Sequence, residues 1–234
     1  SSFMQRAYDN VIHDVAIQDL PVVMCLDRGG LVGEDGVTHH GVFDMAAFGA
    51  VPGLTIAAPM NEPELRNMMY TALGSGHPFM IRYPRGHGEG LPWRGEKFET
   101  LPVGRGRRLR EGADVALLTV GTVGNAAARA AGRAAAEGVS VAHYDLRFVK
   151  PLDEALLDEV GRKFRRVVTV EDGSLRGGVG EAVAAFFNGR GYDVRVQRLG
   201  IGDEWVEHGT PGQLYALCGY DEEGILRALL DTRA

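Results

Sequence analysis

Short apolar runs of strand length alternate with longer segments of helical pattern, and this alternation constrains the fold more than any other feature of the chain. Apolar runs at residues 20–26, 54–58 and 78–83 alternate with helical patterns, and the same alternation returns from residue 114. Strands that alternate with helices form βαβ crossovers, which build mostly parallel sheets covered by helices. Because 45% of the 234 residues are hydrophobic, the chain can bury one large core or two modest ones. The sequence therefore predicts an α/β fold.

The alternation is interrupted between residues 84 and 112, which are rich in Gly, Pro and charge and have no sustained apolar period. This segment is predicted to be a linker, so the chain divides into two α/β domains. The arginine-rich stretch at residues 105–110 is either an anion-binding patch or the solvated edge of a sheet. The second interpretation is favoured, because runs of charge usually lie on solvated faces.

The apolar periods predict seven strands and eight helices. The strands are at residues 20–26, 54–58, 78–83, 114–120, 140–145, 167–171 and 193–199. The helices are at residues 3–18, 43–50, from 61 onward, 124–137, 152–161, 180–188, 212–218 and 222–230. The run at 20–26 is continuously apolar, which is typical of a strand that is covered on both faces.

The segment that says most about chemistry is the 27–44 loop, which follows the first predicted strand. It reads Asp-Arg-Gly-Gly-Leu-Val-Gly-Glu-Asp-Gly-Val-Thr-His-His-Gly-Val-Phe-Asp. Ligands bind α/β sheets at the carboxyl ends of strands, where this loop is expected. Arg28 offers a planar fork of donors for a phosphate or carboxylate. His39 and His40 can exchange protons near neutral pH, and Asp35 could orient one of them.

Two other interpretations of the 27–44 loop remain open. Its polar side chains could serve only to satisfy the hydrogen bonds of an irregular loop, although the concentration of four types of reactive group disfavours this. His39 and His40 could bind zinc, but adjacent histidines usually point in different directions and no third ligand at helical spacing accompanies them. No metal ligand is therefore predicted in this chain.

A second informative segment follows the predicted strand at 78–83 and reads Arg-Tyr-Pro-Arg-Gly-His-Gly over residues 82–88. In a parallel sheet, Arg85 lies at the same edge as Arg28. Two guanidinium groups at one edge can bind a dianionic phosphate. The alternative is that Arg85 is a surface residue in the turn after Pro84.

The glycine-rich segment at residues 171–180 is a weaker candidate for phosphate binding. It reads Glu-Asp-Gly-Ser-Leu-Arg-Gly-Gly-Val-Gly, and it lacks both the Lys-Ser/Thr of a P-loop and the GxGxxG spacing. A tight turn between a strand and a helix is the favoured interpretation.

The net charge and the cysteine content indicate which partners the protein can have and in which cell compartment it works. A net charge of −6 argues against nucleic acid as a partner, because phosphate-backbone binding requires an excess of Lys and Arg. No apolar run approaches the roughly 20 residues that span a membrane, so no membrane association is expected. Cys25 and Cys218 are far apart in sequence, lack CxxC spacing, and are predicted to be buried, reduced thiols of a cytoplasmic protein.

The chain resembles 1-deoxy-D-xylulose-5-phosphate synthases over essentially its whole length. The segments that carry the resemblance are Ser-Phe-Met-Gln-Arg-Ala-Tyr-Asp (2–9), the 27–44 loop, Arg-Tyr-Pro-Arg-Gly (82–86) and Arg-Phe-Val-Lys-Pro-Leu-Asp (147–153). The 27–44 loop distinguishes this family from transketolases and from 2-oxo-acid dehydrogenase beta subunits. Gly30 and Val37 depart from the family, in which Ala and Pro are expected at these positions.

The resemblance implies a homodimeric enzyme with three domains that binds thiamine diphosphate and magnesium. Residues 1–90 would be the remainder of the pyrimidine-binding domain, residues 91–112 a linker, and residues 113–234 a transketolase-type carboxy-terminal domain. The diphosphate and magnesium ligands would lie in the amino-terminal remainder of the same protein. The implied reaction is the decarboxylating condensation of pyruvate with D-glyceraldehyde 3-phosphate, which feeds isoprenoid, thiamine and pyridoxal biosynthesis.

The resemblance also implies roles for individual residues. Phe3 would stack on the aminopyrimidine ring of the cofactor. Arg28 and Arg85 would bind the phosphate of glyceraldehyde 3-phosphate, and Asp35 and His39 would be catalytic residues of the acceptor pocket. His40 receives no distinct role.

Two alternative functions remain. A transketolase or a 2-oxo-acid dehydrogenase beta subunit would keep the cofactor and change the substrates. A non-catalytic module that mainly forms a dimer would use neither the cofactor nor the substrates.

Overall fold

Two sheets organise the residues that the computed structural model describes, which are 1–95 and 97–231. The first sheet has the strand order β1-β3-β2-β7 and the second β4-β6-β5-β8-β9. The strands are β1 Val23–Leu26, β2 Thr55–Ala57, β3 Phe79–Arg82, β4 Arg107–Arg110, β5 Val115–Val120, β6 Val141–Asp145, β7 Phe148–Lys150, β8 Arg166–Ser174 and β9 Arg195–Ile201. The helices are α1 Tyr8–Asn10, α2 Asp44–Gly49, α3 Glu62–Leu73, α4 Val123–Ala136, α5 Glu154–Lys163, α6 Val179–Gly189, α7 Pro211–Leu217 and α8 Glu222–Leu230.

The first sheet is parallel in β1, β3 and β2 and antiparallel where β7 pairs with β2. One of its faces packs against the amino-terminal helical segment and α2, and the other packs against α3. Because β7 follows β6 in the chain, the second half of the sequence completes the sheet of the first half.

The second sheet is parallel except for β4, which pairs antiparallel with β6 at its edge. Helices α4 and α8 cover one face, and α5 and α6 cover the other. Every residue of β5 is buried, as expected for the central strand of a sheet that is covered on both sides. The predicted α/β class with mostly parallel sheets is confirmed.

The amino-terminal helical segment changes geometry twice. A 3₁₀ turn at Ser2–Ala7 leads into the single α-helical turn α1, and a π-helical turn follows at Val11–Ala16. The predicted helix is therefore present, but it is not a regular α-helix.

Local sequence signals explain where several helices begin. The side chain of Asn61 accepts a hydrogen bond from the Glu64 N–H at 3.1 Å, and a proline lies in the first turn of α3. Asp153, Thr210 and Asp221 cap α5, α7 and α8 in the same way.

Two strands were absent from the sequence prediction. Strand β4 lies inside the predicted linker and forms the edge of the second sheet, which confirms the solvated-edge interpretation of the arginine-rich stretch. Strand β7 has only three residues, too few for an apolar period to indicate it.

The prediction that residues 20–26 form a strand covered on both faces is wrong. Strand β1 begins at Val23 and is an edge strand, in which only Leu26 is fully buried. Both cysteines were predicted to be buried. Cys25 is exposed instead, because it lies on this edge strand, and Cys218 is half-buried. Both thiols are free.

Within residues 1–95 and 97–231, no helix combines the length and hydropathy needed to cross a bilayer.

Candidate active site

The 27–44 loop leaves the carboxyl end of β1 and returns to the same place. The Gly29 N–H donates to the carbonyl of Tyr83, which follows β3, at 2.9 Å. Gly30 and Gly41 exchange two backbone hydrogen bonds of 2.8 Å each, which close the base of the loop. Gly30 has a φ of +87°, a conformation that favours glycine. The two loops that follow β1 and β3 are therefore joined at one edge of the first sheet, as predicted.

Phe3 and His39 meet at this edge. Their ring centroids are 5.5 Å apart and the ring planes are inclined by 75°. Phe3 is 60% exposed, so part of its surface is available to a ligand. The Nδ1 atom of His39 lies 2.9 Å from the hydroxyl of Thr38. Two residues that the resemblance assigns to cofactor and acceptor are thus in direct contact.

Arg85 forms an ion pair with Asp35 across the two loops. Both side chains are partly exposed, and the partner of Asp35 is Arg85 rather than a histidine. Arg28 follows β1 with a φ of +57° and is half-buried. No salt bridge or side-chain hydrogen bond joins Arg28 to another residue in the described part of the chain.

His40 is buried and has a structural position. Its Nδ1 accepts a hydrogen bond from the Val32 N–H at 3.1 Å, and its Nε2 lies 3.3 Å from the carbonyl of Glu207. These contacts place the ring proton on Nε2, since Nδ1 is an acceptor and the carbonyl needs a donor. His40 therefore fastens the 27–44 loop to the segment that follows β9.

A buried ion pair lies beneath the loop. The Nε of Arg82 donates to Asp44 at 2.9 Å, and its Nη2 donates to the backbone carbonyl of Asp172 at 2.9 Å. Burial alone lowers the pKa of Arg82, but the carboxylates of Asp44 and Asp172 outweigh it and the net shift is upward. Sequence reasoning assigned no role to these three residues; the one available signal was an arginine, Arg82, that ends an apolar strand.

Two consecutive carboxylates of β8 are also buried, and they face different partners. Glu171 accepts hydrogen bonds of 2.8 Å from the Val179 and Gly180 N–H groups at the start of α6. Burial raises the pKa of Glu171 to about 7 against these two donors. Asp172 faces the 27–44 loop instead, and burial raises its pKa against the opposing charge of Arg82. The predicted turn between a strand and a helix at residues 171–180 is confirmed, and the first amides of α6 donate to Glu171.

A cleft of about 560 Å³ is lined by residues that follow β2, β3 and β5. Arg85, Tyr215 and Tyr220 are among its lining residues. Among the described residues, no group of three or more His, Cys, Asp or Glu side chains is placed to hold a metal ion.

Two family models match the chain. Residues 1–89 match the transketolase pyrimidine-binding domain, and residues 104–225 match the transketolase carboxy-terminal domain.

The chain is similar to 1-deoxy-D-xylulose-5-phosphate synthases from two bacteria. It is 59% identical to the protein of Bacteroides fragilis over 235 residues, which cover 100% of this chain and 36% of that protein. It is also 59% identical to the protein of Bacteroides thetaiotaomicron over 232 residues, 98% of this chain and 36% of that protein. The chain thus spans about a third of the length of these relatives.

A solved structure described as a split-gene transketolase in an inactive β4 tetramer has the same fold. It superimposes with a TM-score of 0.86 at 26% identity, over 97% of this chain and 72% of that one.

Proposed function

Because the chain belongs to the transketolase family and matches about a third of the length of 1-deoxy-D-xylulose-5-phosphate synthases, we propose that it is the carboxy-terminal part of such an enzyme and contributes the acceptor side of the active site. The whole protein would condense pyruvate with D-glyceraldehyde 3-phosphate to 1-deoxy-D-xylulose 5-phosphate and carbon dioxide in the cytoplasm. We expect it to be a transferase that uses thiamine diphosphate, because residues 1–89 match the transketolase pyrimidine-binding domain and the relatives are 1-deoxy-D-xylulose-5-phosphate synthases. The product would feed isoprenoid, thiamine and pyridoxal biosynthesis.

The observation that carries the proposal is the contact between Phe3 and His39 at the shared edge of β1 and β3. An exposed aromatic face can stack on an aminopyrimidine ring, and an imidazole beside it can reach the atoms that react there. This arrangement supports assigning Phe3 to the cofactor and His39 to the acceptor carbonyl.

When bound, thiamine diphosphate supplies the electron sink for decarboxylation and condensation. The residues of this chain bind and orient the acceptor. His39 donates a hydrogen bond or a proton to the acceptor oxygen. Arg28 and Arg85 bind the phosphate, which lies away from the reacting bond and can be held without blocking it. Asp35 would orient Arg85 through their ion pair.

The described residues fit part of the cofactor only. They offer an aromatic surface at Phe3 but no cluster of metal ligands. We therefore assign the magnesium and diphosphate ligands to the amino-terminal remainder of the same protein, and we expect a homodimer. The structural neighbour, a split-gene transketolase in an inactive β4 tetramer, supports the need for a complementary part.

Product analysis of the complete enzyme tests the function. With pyruvate and glyceraldehyde 3-phosphate, we expect 1-deoxy-D-xylulose 5-phosphate and one equivalent of carbon dioxide. Turnover only with a two-carbon ketose donor would indicate a transketolase, and acyl transfer from a 2-oxo acid would indicate a dehydrogenase beta subunit. A non-catalytic dimerisation module would tolerate replacement of Arg28 and Arg85 with no effect beyond dimerisation.

A further inference from the structure

The start of the 27–44 loop is held by a side chain of the second sheet. Asp172 lies in β8 and is only 4% exposed. One of its carboxylate oxygens, Oδ1, accepts hydrogen bonds from the Leu31 N–H at 3.0 Å and the Tyr220 hydroxyl at 2.8 Å. The other, Oδ2, accepts from the Tyr215 hydroxyl at 3.3 Å. Three donors from two distant parts of the chain thus converge on one carboxylate.

The end of the loop is tied to the same place through Arg82. This guanidinium donates to the backbone carbonyl of Asp172 and to the carboxylate of Asp44, where the loop enters α2. Its Nη2 also lies 3.5 Å from the Gly41 carbonyl. Leu31 and the Gly41–Asp44 end of the loop are therefore fixed by one buried cluster. His39 lies between these attachment points, and Arg28 lies just before Leu31.

Gly30 shows how closely the loop and Asp172 fit. A Cβ atom at position 30 would overlap the Asp172 carboxylate, and the φ of +87° also disfavours any side chain. The resemblance predicts alanine at position 30. Glycine at this position is thus matched to the carboxylate that occupies the space of the missing methyl group.

We propose that Asp172 is a positioning residue, which acts from the second sheet through Leu31 and Arg82 to hold the 27–44 loop in the conformation that binds the acceptor phosphate. It touches no reacting atom. The substrate part of this inference rests on the proposed function, whereas the loop-holding part rests only on the contacts above.

The first test replaces Asp172 with Asn in the complete enzyme. Asn keeps the size of the side chain but loses the charge. Its single acceptor oxygen accepts from at most two of the three donors, and more weakly than a carboxylate does. We expect the KM for glyceraldehyde 3-phosphate to rise about tenfold, the size of effect that follows from loss of a charge-assisted hydrogen bond. The KM for pyruvate should change much less.

Glu171→Gln is the matched control. Glu171 is the neighbouring carboxylate of β8 and is equally buried, but its hydrogen bonds go to α6 and not to the loop. This variant reports the cost of altering a buried carboxylate in β8, and we expect it to leave the ratio of the two KM values unchanged. Equal ratios in both variants would overturn the proposal.

A double-mutant cycle tests the fit between Gly30 and Asp172. Gly30→Ala should raise the KM for glyceraldehyde 3-phosphate strongly when Asp172 is present. In an Asp172→Ala background the added methyl group no longer meets a carboxylate, so the same change should cost much less. Residues in contact show such non-additivity, whereas independent sites add. Additive effects on KM would overturn the proposal.

Amide hydrogen exchange provides a readout that needs no activity. In the complete protein without substrate, the Leu31 amide should exchange faster in Asp172→Asn than in the wild type or Glu171→Gln. An unchanged exchange rate would overturn the loop-holding role, and faster exchange with an unchanged KM ratio would overturn the positioning role. If the wild type forms no product, the proposed function fails, and the exchange rate alone decides whether Asp172 holds the loop.

Discussion

The edge of the Phe3 ring lies against the imidazole of His39, with 5.5 Å between the ring centroids. The two residues are brought together by separate elements, since Phe3 belongs to the amino-terminal 3₁₀ turn and His39 to the 27–44 loop. Their contact joins the proposed cofactor surface to the proposed acceptor site. Replacement of Phe3 should therefore affect cofactor binding, and replacement of His39 should affect turnover.

Phe3→Ala in the complete enzyme should weaken retention of thiamine diphosphate. The stacking area that the ring would bury against the bound cofactor is worth about 1 to 3 kcal/mol. Calorimetric titration of the cofactor measures the dissociation constant directly. Phe98→Ala is the control, because Phe98 has a similar exposure of 58% but stacks on Tyr70. If the two variants bind the cofactor as the wild type does, Phe3 has no role in stacking.

Replacement of the two adjacent histidines should affect different properties, kcat for His39 and stability for His40. His39→Ala should lower kcat by about 10² to 10⁴, the usual contribution of a positioned proton donor, with little loss of stability. His40→Ala leaves the Val32 N–H and the Glu207 carbonyl without their partner. It should lower the free energy of unfolding by about 1 to 3 kcal/mol. Steady-state kinetics and thermal unfolding of both variants separate the roles, and the reverse pattern would contradict this assignment.

Much of the fold was predictable because its signals are local. The start of α3 follows from Asn61 as cap and a proline in the first turn. Strand β5 follows from its continuous, mostly apolar run, which is buried throughout. Strand β7 is different, because its pairing with β2 joins residues about 90 positions apart and only three of them form the strand. The exposure of Cys25 depends on which strand forms the sheet edge, which local pattern does not determine.

In the candidate site, too, local features were predictable from the sequence and long-range contacts were not. Residue type and position after a strand predicted that Arg28 and Arg85 share an edge of the sheet. The ion pair between Arg85 and Asp35 was not predicted, because it depends on how two loops fold over one another. Asp172 was also missed, since its partners Leu31 and Tyr220 are distant in sequence and none of the three forms a motif.

The isolated 234-residue chain should neither bind thiamine diphosphate tightly nor turn over. The described residues provide an aromatic surface but no metal-binding cluster, and the diphosphate ligands are assigned to the rest of the protein. Calorimetry with cofactor and magnesium, together with an assay of product formation, checks this expectation. Full activity of a preparation shown to contain no full-length protein would contradict it.

Glu171 should make stability depend on pH. Its pKa is raised from 4.5 to about 7, so the folded state binds the proton more tightly than the unfolded state. The contribution of Glu171 to the free energy of unfolding is fully present below about pH 4.5. It is lost as the pH rises through 7, by at most about 3 kcal/mol. The melting temperature of the wild type should therefore fall relative to that of Glu171→Gln between pH 5 and pH 8.

The comparison at each pH cancels the other titrating groups, because both proteins contain them. Among these, burial raises the pKa of Asp145 to about 6 and lowers that of His143 to about 4, so they act in opposite directions. A difference in melting temperature that stays constant from pH 5 to pH 8 would show that Glu171 has an ordinary pKa.

Arg28→Ala or Arg85→Ala in the complete enzyme should raise the KM for glyceraldehyde 3-phosphate much more than the KM for pyruvate. Each guanidinium can donate two charge-assisted hydrogen bonds to a phosphate dianion, a group that pyruvate lacks. Loss of one such bond costs about 1.5 to 3 kcal/mol, or roughly a tenfold to hundredfold change in affinity. Lys should rescue in part, because it keeps the charge but not the fork. Glyceraldehyde is the control acceptor, and an equally steep loss with it would show that these arginines support the fold or the cofactor instead.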